Sequence, residues 1–388
     1  MKRQYIRLGW WYGCALLYFW FFAAAALHAY RHPFLNWDMV AYMGVAESFS
    51  AGDPQKIYDT TMTEVSQVRS PEWHYQRRGD ILSNRSEAFY QQLPFYSVKP
   101  LYTGGIWLLH ALGMAMPEAS WVLSILGFLG LGMVCYLFVP RGLDAGIWWG
   151  TAGLFCALGA WSMSDVARLS TPDTLCIALS AAGYCLWIYR RSFTGFAACF
   201  LLAQLARPDM LLLSSALALG FIFFASGSYR MSARQGCGFI AMTIILYMAV
   251  NYLAGNYGWK VLFFYKFIKH LSYPAHFEPH FGWEQYIGIV RHGTLRIMAN
   301  ARLQFLLVTS LMAALCQSRE ERGFIGILAV TWLAFAVRFA LFPAWGEDRY
   351  YYPYYFIMLY AIAEAITPCL LQYWKIAINS GRHEQNHP

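Results

Sequence analysis

Charge is what this 388-residue chain has least of. Asp, Glu, Lys and Arg make up 13 % of it, about half the ~25 % of a typical soluble domain. That scarcity excludes a disordered chain and argues against an ordinary soluble enzyme. Several signatures are absent as well. There is no P-loop, no G-x-S-x-G and no G-x-G-x-x-G, which removes the common nucleotide-binding and hydrolase motifs. No nucleic-acid motif or basic tail is present. The nine cysteines (14, 135, 156, 176, 185, 199, 237, 316 and 369) form no C-x-x-C, and none lies in the polar stretch 31–100. Small apolar packing residues are therefore the better reading than a disulfide framework or a zinc ribbon.

What the chain does have is apolar sequence, 58 % of it, arranged in long runs with turn signals between them. This is the pattern of an all-α polytopic membrane protein. Lys2, Arg3 and Arg7 precede a run from Leu8 to Ala29. At about 22 residues it exceeds a signal-peptide core of 7–15, so it reads as an uncleaved first span. Further runs lie at 119–139, 145–161, 173–189, 193–206, 210–225, 237–254, 303–316, 323–342 and 354–373. With the first, these predict about ten spans in one transmembrane domain, 1–388. The run 101–116 is shorter, carries Gly104-Gly105 and His110, and ends at Pro117. It reads as an interfacial segment.

Net charge is +8, and its distribution sets orientation. With ten spans, the inner face holds 12 cations, among them Arg141, Arg190, Arg191, Arg230 and Arg234, against Asp144, Glu320, Glu321 and Glu384. That satisfies the positive-inside rule with both termini cytoplasmic. Were 101–116 to cross, Arg190-Arg191 and Arg230/Arg234 would face outward. The outer face then carries two long loops, 31–116 and 255–302, and the turns at 162–172, Arg207-Pro208-Asp209 and 343–353. Short inner loops point to a bacterial inner membrane, with chemistry or binding on the extracytoplasmic side.

Each polar cluster on that face has two readings. Asp38, between Trp37 and Tyr42, is either a helix N-cap or a carboxylate that accepts a proton. Lys99, in Pro94-Phe95-Tyr96-Ser97-Val98-Lys99-Pro100-Leu101, either snorkels or meets a phosphate. Asp173 after Pro172, and Asp209 after Arg207-Pro208, fit helix starts, with Pro172 at the first helical position. Arg168 has no such account. Arg349, beside Glu347 and Asp348 in an aromatic run that includes Tyr350, is a local ion pair or a contact for an anionic head group. Arg338 and Glu364 lie inside apolar runs and are site candidates for that reason. Residues 260–271 read as an amphipathic interfacial helix, Lys266, Lys269 and His270 on one side and Phe264, Tyr265, Ile268 and Leu271 on the other. His276-Phe277-Glu278-Pro279-His280 departs from H-E-x-x-H, and Pro279 interrupts a helix, so no metal is expected there.

In their order, Asp38, Lys99-Pro100-Leu101 and Arg168…Pro172-Asp173 resemble the GT-C superfamily of membrane glycosyltransferases. That group includes protein O-mannosyltransferases and lipid A aminoarabinose transferase. The resemblance covers roughly residues 1–190. It implies transfer of a sugar from a polyprenyl-phosphate donor to a lipid, glycan or protein acceptor at the outer face. No cofactor is expected. Partners are then the lipid-linked donor and membrane lipids, not nucleic acid. Asp38 becomes the catalytic base, and Lys99, Arg168, Asp173, Arg207, Asp209, Arg349 and Tyr350 become substrate-binding residues. The rival class is a transporter or flippase, which would account for intramembrane charge but should carry an internal repeat.

Overall fold

The computed structural model describes residues 2–68, 85–138, 161–316 and 322–366. Its helices are α1 (Lys2–Arg31), α2 (Trp37–Ser48), α3 (Pro54–Ser66), α4 (Ser86–Tyr90), α5 (Pro94–Ser97), α6 (Pro100–Ala111), α7 (Met116–Phe138), α8 (Trp161–Arg168), α9 (Asp173–Arg190), α10 (Phe193–Ala206), α11 (Met210–Phe223), α12 (Ala233–Leu253), α13 (Trp259–Phe267), α14 (Trp283–Met298), α15 (Ala301–Cys316) and α16 (Arg322–Leu341). A last helix, α17, covers 352–366. Among the described residues the only extended pairing is an isolated parallel bridge between Phe34 and Leu169.

Nearly every apolar run becomes a helix because, away from water, only a helix satisfies the backbone within one segment. The run 8–29 falls inside α1, and the run 193–206 coincides with α10. The run 145–161 lies outside the described residues but for its last position. Among the described residues, three helical stretches are long and apolar enough to cross a membrane: Met116–Phe138, Gly227–Leu253 and Gly323–Leu341. Helices α14 and α15 meet at 75° and together make a fourth, broken candidate. Helices α10 and α11, 14 residues each, are apolar but only about 21 Å long, short of a ~30 Å hydrocarbon core. Helix α6 has 12 residues, about 18 Å, so its length suits an interfacial segment.

The chain forms two compact units, Met1–Leu211 with Thr243–Tyr286, and Leu212–Met242 with Ile287–Pro388. In the first, α7 is the hub and touches α1, α2, α6, α8 and α9. Tyr18 of α1 donates to the Gly132 carbonyl at 2.7 Å. At Gly127 the backbones of α7 and α9 nearly touch. A Cβ there would stand 2.4 Å from the Leu175 nitrogen, so this crossing requires glycine. In the second unit Gly326 plays the same part on α16, where a Cβ would stand 2.2 Å from the Phe224 Cβ.

The structure corrects two local expectations. Pro172 is not the first helical residue but the cap position before it, and α9 starts at Asp173. The amphipathic segment at 260–271 is helical only to Phe267. Part of its apolar side packs on protein: Val261 and Leu271 are buried with Phe95, and Phe264, Tyr265 and Tyr96 pack partly buried against them.

Candidate functional site

Helix α2 opens the site. Asn36 caps it, its Oδ1 accepting from the Met39 N–H at 3.0 Å. Asp38 is therefore not the cap. It lies in the first helical turn, where a negative charge suits the helix dipole, and its side chain is used elsewhere. The Tyr96 hydroxyl donates to Asp38 Oδ1 at 3.2 Å.

One turn along α2, Tyr42 is 2 % exposed. Its hydroxyl accepts from Lys99 Nζ at 2.5 Å, and the same ammonium lies 4.8 Å from the Tyr42 ring centre and 5.3 Å from that of Tyr96. Lys99 is thus turned inward onto two aromatic faces, a cation–π arrangement that lowers the cost of its partial burial. It does not snorkel. The rings of Tyr42 and Tyr96 meet edge to face at 5.1 Å, as do those of Tyr42 and Tyr102.

Tyr102 carries the site from α6 to α7. Its hydroxyl donates to the Ser120 carbonyl at 2.7 Å and lies 3.2 Å from Ser124 Oγ. Burial pushes this phenol far up, and the charges of Asp173 and Asp38 push it further against the opposing Ser124 hydrogen bond. It stays a neutral donor throughout the physiological range. Ser124 in turn fastens the start of α9. Its Oγ donates to the Thr171 carbonyl at 2.8 Å, and Thr174 Oγ1 donates to the Ser124 carbonyl at 2.6 Å.

At that start, Asp173 is 2 % exposed. Its Oδ2 accepts from Thr171 Oγ1 at 2.7 Å and its Oδ1 from Arg207 at 2.5 Å. Arg207, 3 % exposed, also grips both oxygens of Asp209, through Nε at 3.1 Å and an η-nitrogen at 2.8 Å. Two carboxylates around one guanidinium make this a buried triad of net charge −1. Asp209 is its more open member, its side chain 20 % exposed.

Five of the eight residues expected to form the site, Asp38, Lys99, Asp173, Arg207 and Asp209, therefore lie on one chain of contacts in the first unit. Arg168 is used differently. Its Nε donates to the His32 carbonyl at 2.7 Å, and its own carbonyl accepts from the Phe34 N–H at 2.8 Å, which pins the exit of α1 against the end of α8. Arg349 and Tyr350 belong to the second unit. There Arg349 donates to Glu347 at 2.7 Å and its guanidinium lies 5.1 Å from the Tyr350 ring centre. Arg338, 7 % exposed, sits 6.0 Å from the same ring. In that unit, Asp348 accepts from Asn300 and from Arg302 at 2.6 Å.

Sequence reasoning missed Tyr96, Tyr102, Ser124 and Gln92. Gln92, fully buried, donates to the Leu271 carbonyl and accepts from the Tyr265 hydroxyl, both at 2.6 Å, and so holds 255–286 against the segment carrying Tyr96. One signal was available: Tyr42 stands one helical turn after Asp38, and Tyr96 three positions before Lys99. Among the described residues no three His, Cys, Asp or Glu side chains converge as a metal site. The exposed His280 ring engages the Glu278 carbonyl at 2.8 Å. No family model, curated protein or solved structure matches this chain.

Proposed function

We propose that the protein is a GT-C-type membrane glycosyltransferase. It moves a sugar from a polyprenyl-phosphate donor to a lipid, glycan or protein hydroxyl at the outer face of a ten-span chain. The observation that carries this reading is the pairing of a half-buried carboxylate with a half-buried ammonium across two tyrosines, Asp38 with Tyr96 and Lys99 with Tyr42. Because Asn36 already caps α2, the Asp38 carboxylate is not needed for capping.

In the proposed reaction Asp38 takes the proton of the acceptor hydroxyl as its oxygen attacks the anomeric carbon. The bond from that carbon to the phosphate oxygen breaks, and its electron pair leaves with the polyprenyl phosphate. Lys99 neutralises the charge that grows on the departing phosphate. One displacement inverts the anomeric centre and needs no covalent nucleophile. The Asp173–Arg207–Asp209 triad supports substrate binding through its more open edge at Asp209.

The test is Asp38→Asn in the full chain, reconstituted in vesicles with radiolabelled polyprenyl-phosphate sugars. Transfer should fall by ~10²–10⁴-fold, the usual share of general-base catalysis, at unchanged melting temperature. Asn36→Ala is the control. It should lose about 1 kcal/mol of stability and keep its turnover per folded molecule. Wild-type transfer by a folded Asp38→Asn protein removes Asp38 as the base.

A further inference from the structure

We infer that Tyr96 is a positioning residue that sets the Asp38 carboxylate through its hydroxyl while its ring carries the Lys99 ammonium. The inference rests on the reading of Asp38 as base and Lys99 as phosphate contact, and adds to it a third residue that addresses both. A phenol has one proton to donate, and here it goes to Asp38 Oδ1 at 3.2 Å. That bond restricts rotation of the carboxylate about its own side chain. The centre of the same ring lies 5.3 Å from Lys99 Nζ.

The backbone around Tyr96 is held from two sides. Within its own turn, Ser97 donates to the Leu93 carbonyl through both N–H and Oγ, at 2.9 and 3.0 Å. Behind it, Phe95 is buried against Val261 and Leu271, and Gln92 binds Leu271 and Tyr265. The segment 255–286 therefore reaches the site through Tyr96. Tyr42 complements it, since its ring meets that of Tyr96 and its hydroxyl engages Lys99. Tyr96 transfers no proton in the proposed reaction; its hydroxyl orients the Asp38 carboxylate and favours its ionised form.

The two hydroxyls separate in Tyr96→Phe and Tyr42→Phe, each of which keeps its ring. Isotope-edited infrared spectra of the full chain, labelled at the aspartate carboxyls and referenced to Asp38→Asn, isolate the Asp38 carboxylate band. Tyr96→Phe should shift that band, leave farnesyl phosphate affinity within about twofold, and lower kcat by roughly 10- to 100-fold, the worth of one charged hydrogen bond. Tyr42→Phe should leave the band in place and weaken farnesyl phosphate binding by roughly tenfold. Adding Tyr96→Phe to Asp38→Asn should slow transfer no further, because a residue that acts through Asp38 has nothing left to position. An unmoved band in Tyr96→Phe, a joint fall of kcat and farnesyl phosphate affinity, or an additive double variant overturns the inference. Wild-type turnover by Asp38→Asn instead removes the base assignment beneath it. A slow Asp38→Asn beside an unimpaired Tyr96→Phe removes the role of Tyr96 alone.

Discussion

Arg207 illustrates how a residue's neighbours change what a substitution can report. Met by itself in Arg207-Pro208-Asp209, it is a cation on an outer turn, suited to a phosphate. In the fold its guanidinium binds Asp173, which is 2 % exposed, and chelates Asp209. Removing it leaves the Asp173 carboxylate buried without its principal counter-charge. Arg207→Ala should therefore cost about 3–5 kcal/mol, read as a fall in the thermal unfolding midpoint in detergent. Asp209→Asn should cost much less, because solvent reaches that side chain. If Arg207→Ala melts like the wild type, the triad is not a structural tie. Lys99 lies against the rings of Tyr42 and Tyr96 and the Tyr42 hydroxyl.

Helix α9 is placed by a seam along α7. Ser120, Ser124 and Gly127 lie at successive turns of α7. Ser120 accepts from Tyr102, Ser124 bonds Thr171 and Thr174, and Gly127 lets the α9 backbone close in. Asp173 faces Arg207 because this seam fixes the first turn of α9. Gly127→Ala should therefore destabilise the fold by about 1–3 kcal/mol, the usual cost of overpacking. The neighbouring Gly130→Ala should be neutral or stabilise by ~0.5–1 kcal/mol, since its Cβ would stand an ordinary 3.7 Å from Ala178. Thermal unfolding of the two variants side by side tests the pair, and equal midpoints would contradict a glycine-dependent crossing. The serines of this seam were not legible in the sequence. A small residue in an apolar helix shows no sign of which neighbour it will touch.

At the scale of the whole molecule, the prediction concerns sidedness. With α6 interfacial and both termini inside, Arg190-Arg191 and Arg230/Arg234 share the cytoplasmic face with the N-terminal Lys2, Arg3 and Arg7. Reporter fusions after Arg190 and at the C-terminus should both read cytoplasmic. If both read external, the ten-span arrangement fails, and Asp38 and Lys99 face the wrong side for a donor presented outside.

The sequence by itself determined where most of the apolar helices lie. An apolar run predicts a helix through its own backbone, and the runs at 193–206, 210–225 and 323–342 became α10, α11 and α16 with small shifts at their ends. It also exposed Asp38 and Lys99, because each is a charge at the edge of an apolar segment. Tertiary structure alone decided what those charges do. Whether Asp38 caps a helix or faces Tyr96 depends on Asn36 two positions before it and on a ring 58 positions away. Arg207 meets Asp173 across 34 positions, and Arg168, which read as the same kind of cation, turns to the carbonyl of His32. Hydrophobic patterning acts on neighbours one helical turn apart. A hydrogen bond between distant side chains forms only after packing has brought their backbones within reach.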